Sequence, residues 1–224
     1  DVYVNLLRAR ADLGTSSTIG AVYTDRTSNS TDFNRVLGAD ARIQIGGRYT
    51  FTAMGARSFT NDAVLRDRQD GTMGSLRFER AGRTFQLNAE FEDTQQSFKP
   101  GSGFFQRIGT AQANSRLSYT WFGQRGAFFE SIGPSLEVKA FWDHERFWRG
   151  EGLEEGEVQL SSRFSLKNNV TVWANYKFSR FVFQPEQYEG LFVKDPVGGK
   201  RPFRPGQELF DALPSATVGI WVNK

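Results

Sequence analysis

The sequence predicts an all-β protein, and more closely an antiparallel up-and-down transmembrane β-barrel. Three observations favour this fold: polar and apolar residues alternate, the alternating stretches are long, and the connections between them are short and long in turn. A strand places successive side chains on opposite faces, so alternation predicts a sheet with one apolar and one polar side. Long strands and sorted connections favour lipid as the medium that covers the apolar side.

Alternation is clearest in residues 83–92. Phe85, Leu87, Ala89 and Phe91 are apolar, and the residues between them are polar. A helix would scatter these side chains around its surface, so the period of two predicts a strand.

The same pattern predicts about eleven strands. Their ranges are 2–12, 17–25, 34–45, 48–59, 72–80, 83–92, 112–122, 128–143, 157–166, 170–181 and 214–223. Most have roughly 9–12 residues, whereas soluble strands usually have about 5–6, and this length suits a tilted crossing of a bilayer.

The predicted connections alternate in length. Those near residues 14, 46, 81, 124 and 168 are short, and Gly46-Gly47 is a tight hairpin signal. Longer connections are predicted at 26–33, 60–71, 93–111, 144–156 and 182–213. Membrane barrels sort their connections in this way, with tight turns on the periplasmic side and long loops outside.

Side-chain placement supports the membrane interpretation. The predicted polar faces carry ten charged residues: Asp40, Arg42, Arg77, Glu79, Glu90, Glu92, Glu137, Lys139, Arg163 and Lys177. Aromatic residues gather at or beyond strand ends, where interfacial girdles lie: Trp121, Phe122, Phe128, Phe129, Trp142, Phe147, Trp148, Phe181 and Phe183. Alternation alone also fits a soluble all-β protein with its charges outside, so that alternative stays open.

Composition excludes several classes of protein. The net charge is +3 with basic residues spread along the chain, so we expect no nucleic-acid partner. There are no cysteines, which excludes disulfides and thiolate metal sites. We expect one domain over 1–224, and the odd strand number together with the start at Asp1 predicts a segment of a larger barrel.

Residues 91–107 resemble a known bacterial family. Phe91-Glu92-Asp93 followed by Phe98-Lys99-Pro100-Gly101-Ser102-Gly103-Phe104-Phe105-Gln106-Arg107 is similar to its pattern Phe-x-Pro-x-x-Gly-Phe-x-x-Arg after an acidic strand end. Members carry an N-terminal domain like carbohydrate-binding module family 9, followed by an outer-membrane β-barrel of unknown function. The resemblance implies a barrel for this chain and supplies no catalytic residues.

Few residues suggest chemistry. His144 is the single histidine and would be the base of a hydrolase at the barrel rim, but a solvated loop histidine is the commoner case. Glu90 and Glu92 share a face and are more simply cross-strand partners of Arg77 than an acid–base pair. An acidic cluster (Glu151, Glu154, Glu155 and Glu157) and the run Asp67–Gly71 resemble calcium ligands only by composition. We therefore expect no catalytic, metal or cofactor site.

The predicted function is passive. We expect an outer-membrane barrel that acts as a porin-like pore, an anchor or a structural subunit of a surface assembly, and no enzyme. The partners would be the lipid bilayer and other cell-envelope proteins. Two alternatives remain: a soluble all-β ligand- or carbohydrate-binding domain, and an outer-membrane hydrolase using His144.

Overall fold

The computed structural model describes residues 2–62, 67–101, 107–181, 190–194, 198–203 and 215–222. The strands are β1 (Tyr3–Leu13), β2 (Ser17–Asn29), β3 (Asp32–Ile45), β4 (Tyr49–Asp62), β5 (Asp67–Arg80), β6 (Phe85–Thr94), β7 (Thr110–Tyr119), β8 (Trp121–Phe122), β9 (Phe129–Asp143), β10 (Glu155–Leu166), β11 (Val170–Phe181), β12 (Phe192–Lys194), β13 (Lys200–Pro202) and β14 (Ser215–Val222). One short helix, α1 (His144–Trp148), follows β9.

One antiparallel sheet contains nearly all of these strands. Its order is β1-β2-β3-β4-β5-β6-β7-β9-β10-β11-β14, so each strand pairs with its neighbours in sequence, while β8 pairs with β9 alone. β12 and β13 form a separate hairpin. The all-β, antiparallel, up-and-down prediction is confirmed. The sheet is not closed: in the described part of the chain, β1 and β14 are its two free edges.

Two predicted loops were wrong. β2 extends to Asn29 and β3 begins at Asp32, so a tight turn is found where a loop was predicted at 26–33. β4 extends to Asp62 and β5 begins at Asp67, which shortens the connection predicted at 60–71. These strand ends are rich in Ser, Thr, Asn and Asp, which hid them from a pattern based on apolar residues, although backbone pairing needs no apolar side chain. The long connections at 95–109, 144–154 and 182–214 remain.

The predicted strand 112–122 is interrupted. β7 ends at Tyr119, and the amide of Thr120 donates to the carbonyl of Thr84 at 2.7 Å. Trp121 and Phe122 then pair with β9 alone. The glycine pair at the β3–β4 turn has φ of +57° at Gly46 and +66° at Gly47, as the hairpin signal predicted.

Cross-strand register divides the side chains between two faces. Directly paired residues share a face in an antiparallel sheet. Through the register, all ten charged residues predicted for the polar side lie on one face, here called the charged face. Leu37, Leu76, Leu117, Leu136 and Leu160 belong to the other, called the apolar face.

Both faces of the sheet are largely exposed, and the buried hydrophobic cluster lies on the charged face. On the apolar face Leu37 is 58% exposed and Leu76 is 61% exposed. On the charged face of the same strands Val36 and Met73 are buried, and they form the hydrophobic cluster of the described residues together with Phe98. Water-soluble domains bury their apolar side, so this sheet presents to its surroundings the side that a soluble sheet would hide.

The register is staggered along the sheet. Ile19 of β2 lies level with Arg180 of β11 through an unbroken series of pairs. β2 begins just after a short turn, two residues before Ile19, and β11 begins just after another short turn, ten residues before Arg180. The short-turn end of the sheet is therefore displaced along the strands by eight residues between β2 and β11. With about 3.4 Å per residue and about 4.8 Å between strands, eight strand steps give a tilt of about 35°. Membrane barrels tilt by about 35–45°.

Helical structure is minor. Asp143 caps α1, and its side chain accepts a hydrogen bond from the amide of Arg146 at 3.0 Å. No helix in the described ranges has the length and apolar character needed to cross a membrane.

Candidate functional site: the charged face

Alternating charges occupy the middle of the charged face. Two adjacent rows of paired residues hold five basic side chains and five acidic ones: Arg42, Arg77, Arg116, Lys139, Lys177, Asp12, Glu79, Glu90, Glu137 and Glu157. The signs cancel, so these rows carry no net charge. A surface with equal numbers of positive and negative side chains has little electrostatic preference for cations over anions.

Five of these residues form a continuous ion-pair network, here called the charge ladder: Arg116, Glu137, Lys139, Glu157 and Lys177. Glu137 contacts Arg116 and, at 3.1 Å, the Lys139 ammonium. Glu157 is shared between Lys139 at 3.3 Å and Lys177 at 2.8 Å. The ladder crosses β7, β9, β10 and β11 and ties four strands together through side chains.

A second region of the charged face is covered by the chain itself. Residues 95–101, called the covering segment, fold back over β3, β4 and β5. Asn34 donates from Nδ2 to the carbonyl of Lys99 at 2.7 Å and accepts at Oδ1 from the amide of Gly101 at 2.8 Å. The hydroxyl of Ser58 accepts from the amide of Lys99 at 2.9 Å. Polar side chains of the charged face thus provide hydrogen-bond partners for the backbone of the covering segment.

Phe98 fixes the middle of the covering segment. It is 2% exposed and lies in the cluster of Val36 and Met73, with Ala56 packed against it. A Cβ atom on Gly71 would lie 2.2 Å from the amide nitrogen of Phe98, so only glycine permits this close approach. Small and apolar residues interrupt the charged face where the phenyl ring docks.

The acidic cluster does not gather around a point. Glu151 pairs with Arg146 and Arg149, Glu155 with Arg107, and Glu157 belongs to the charge ladder. Burial raises the pKa of Glu154, and the nearby carboxylate of Asp143 raises it further. Among the described residues, no group of three or more His, Asp or Glu is placed to hold a metal ion.

The other sequence candidates lie in ordinary pairs. Glu90 contacts Arg77 at 2.6 Å, the cross-strand partner that was predicted, and Glu92 lies one row away opposite Gln112. Residues Asp67–Gly71 belong to β5 rather than to a loop, and Asp70 pairs with Arg57.

His144 begins α1 and binds β6. Its Nδ1 lies 2.6 Å from Oδ1 of Asp93, and Nε1 of Trp148 donates to the other oxygen of Asp93 at 3.0 Å. The side chain of His144 is 17% exposed, so it is not the solvated residue that was predicted. The two carboxylate oxygens of Asp93 thus attach α1 to β6, so the contact between His144 and Asp93 has a structural role.

Aromatic residues bound the apolar face at both ends. At the long-loop end, Phe147 lies 5.3 Å from both Phe91 and Trp142. At the turn end, Tyr119 lies 4.5 Å from Trp121. The predicted placement of aromatics near strand ends is therefore seen, except at Phe183, which lies outside the described residues.

Comparison with known proteins adds no assignment: no family model, curated protein or solved structure matches the chain. The resemblance of residues 91–107 to a barrel family therefore remains a prediction. The charge ladder follows from alternation in the sequence. The covering segment does not, and its only signal was Phe98 standing in a polar stretch.

Proposed function

We propose that this chain forms part of the wall of a transmembrane β-barrel in a bacterial outer membrane. The observation that carries the proposal is the exposed apolar face, bounded by aromatic side chains at both ends. Soluble monomers rarely expose contiguous apolar patches larger than a few hundred Å². Lipid removes that cost, because the same side chains then face hydrocarbon.

The dimensions of the apolar face fit a bilayer. On β9, Trp142 belongs to the aromatic cluster at the long-loop end, and Ile132 pairs with Trp121 at the turn end, ten residues away. Ten residues span about 34 Å along a strand. At a tilt of about 35° this corresponds to roughly 28 Å across the membrane, close to the apolar band of about 25 Å in outer-membrane barrels.

Within that barrel, the charged face lines the lumen, and the role is mainly structural. The charge ladder links four strands, and the covering segment fills part of the inner surface near β3, β4 and β5. Both features narrow the lumen and favour an anchor or a subunit of a surface assembly over a wide pore. The same role would follow from the family that residues 91–107 resemble, whose barrel follows a carbohydrate-binding module.

Membrane fractionation followed by gel migration tests the proposal. The native protein should sediment with outer membranes and, in detergent, migrate differently before and after boiling, because a closed barrel resists unfolding in the gel. Recovery in the soluble fraction with no shift on boiling would overturn it and favour the soluble all-β alternative. Planar-bilayer conductance then separates an anchor from a pore.

A pair of adjacent substitutions identifies which face meets lipid. Leu160 is 54% exposed on the apolar face, and Ser161 lies next to it on the charged face. Leu160→Arg should destabilise the folded protein in lipid by about 2–4 kcal/mol, because an arginine near the bilayer midplane is costly. Ser161→Arg should be nearly neutral. Equal unfolding free energies of the two variants in lipid vesicles would contradict the proposal.

A further inference from the structure

A cavity of about 460 Å³ opens at the turn end of the charged face. Four arginines from separate parts of the sheet line it: Arg42 from β3, Arg48 from the β3–β4 turn, Arg80 from the end of β5, and Arg116 from β7. Residues far apart in sequence thus bring four arginines to one small space, of which Arg80 belongs by register to the apolar face and stacks its guanidinium on the Phe85 ring at 4.6 Å.

Most of the hydrogen-bonding capacity of these arginines is unused. Arg42 donates from Nη1 to the carbonyl of Ser16 at 3.1 Å, and Arg80 donates from Nη1 to the carbonyl of Phe85 at 2.6 Å. These contacts position the side chains and leave further N–H groups, because each guanidinium carries five. The side chain of Arg48 makes no hydrogen bond or ion pair to the described residues.

The charge around the cavity is unbalanced. Its one acidic lining residue is Glu79, which accepts a hydrogen bond from Asn88 at 3.2 Å. Arg116 is neutralised by Glu137, but Arg42, Arg48 and Arg80 have no carboxylate partner within the described ranges. Arg42 and Arg116 are counted within the two rows whose charges cancel, so the positive charge that those rows do not balance comes from Arg48 and Arg80. Uncharged donors, including Gln44, Gln86 and Ser118, complete the lining.

We propose that this cavity binds a small oxyanion, a phosphate- or carboxylate-bearing molecule, through Arg42 and Arg48. Arginine pairs with such groups through two parallel N–H···O bonds, which gives geometry as well as charge. The assignment goes beyond the membrane role and does not depend on it, because the cavity would bind the same chemistry in a soluble sheet.

Calorimetric titration of the purified, folded protein with inorganic phosphate, and separately with citrate, tests the site at constant low ionic strength. Saturable binding is expected for at least one probe, and the preferred probe separates phosphate from carboxylate ligands. Arg48→Gln and Arg42→Gln should each weaken binding by about tenfold or more, because each removes a charge-assisted hydrogen bond. Arg48 lies in a turn and is exposed, so its replacement leaves the sheet intact.

The control is Arg26→Gln, which removes the same charge from the same face at its opposite end. It should leave the affinity unchanged. Equal weakening by all three substitutions would show non-specific charge attraction and overturn the assignment, as would the lack of saturable binding by the unaltered protein. Neither result would affect the fractionation test of the membrane proposal.

Discussion

Two regions of the charged face, which lie side by side across the sheet, are organised differently. Around β3, β4 and β5, the wall is made of small and apolar residues, and the covering segment packs onto it through Phe98. Around β7, β9, β10 and β11, the charged face carries the charge ladder, and Arg107 of the β6–β7 connection contacts it through Glu155 and the ring of Phe141. One region is held by burial and backbone hydrogen bonds, the other by ion pairs.

This difference shows how one pleated surface supports two kinds of order. Burying an aromatic ring removes a large apolar area from water and gives several kcal/mol. Partly exposed ion pairs give less, because water screens them and two flexible side chains must be ordered. We therefore expect the covered region to resist perturbation through packing and the ladder region to respond to charge and salt.

The largest effect should come from Phe98→Ala. The ring is 2% exposed, so its removal should cost about 3–5 kcal/mol of the free energy that holds the covering segment to the wall. The chain has no cysteine, so a single Ala56→Cys, under the segment, reports its release through thiol labelling. Labelling should accelerate in the Phe98→Ala background.

A cysteine at Ser161, on the same face beyond the covering segment, is the matched control. Its labelling rate should not change with Phe98→Ala. If both cysteines accelerate alike, the substitution has loosened the whole sheet, and the view of a locally attached segment is wrong.

Asn34→Ala should have the next largest effect. The side chain bonds Thr60, Lys99 and Gly101, so its loss leaves the Gly101 amide and the Lys99 carbonyl without these partners. These backbone groups are partly exposed, so each lost hydrogen bond should cost about 0.5–1.5 kcal/mol. Asn34→Asp keeps the acceptor for the Gly101 amide and should lose less stability in denaturant unfolding. Equal losses would indicate that this acceptor does not matter.

Glu157→Gln breaks the charge ladder at its shared carboxylate. Lys177 loses its carboxylate partner and Lys139 keeps only Glu137, but all three side chains are partly exposed, so the cost should be near 1 kcal/mol. The difference from the unaltered protein should shrink as salt rises from about 0.01 to 1 M, because the screening length falls. Phe98→Ala should show no such salt dependence, and a salt-independent Glu157→Gln would argue against the ladder.

The smallest effect concerns Glu154, just before β10. Burial raises its pKa, so the folded state holds the proton more tightly than the unfolded state. The stability gained from the protonated carboxyl is lost as pH rises through the raised pKa. As the pH rises from the ordinary pKa of glutamate to the raised pKa, the unaltered protein should therefore lose less than about 1 kcal/mol of unfolding free energy relative to Glu154→Gln. Melting temperatures across mildly acidic pH test this, and a difference that grows toward low pH would contradict it.

Alternation in the sequence predicted the strands and their faces well. All ten charged residues assigned to one side share a face, since a period of two determines the side once a strand is recognised. The boundaries of β11 were predicted to the residue, and the alternating apolar residues of this strand begin at Val170. β2, β3, β4 and β5 extend past their last apolar residues, and alternation cannot predict these polar strand ends.

The covering segment and α1 were beyond this pattern. Their positions depend on contacts between residues far apart in sequence, such as Asn34 with Lys99 and Asp93 with His144. A loop has no periodicity that indicates which surface it will contact. His144 illustrates this, because its loop looked solvated until Asp93 from β6 was placed against it.

Strand direction has a consequence for any ring that includes this sheet. Neighbours are antiparallel throughout the eleven-strand path, so its first and eleventh strands, β1 and β14, run the same way. Joining these two edges directly would create one parallel seam in an otherwise antiparallel wall. A fully antiparallel ring must instead place an odd number of additional strands between them, so the number of strands in any closed barrel that includes this sheet reports directly on the kind of seam it contains.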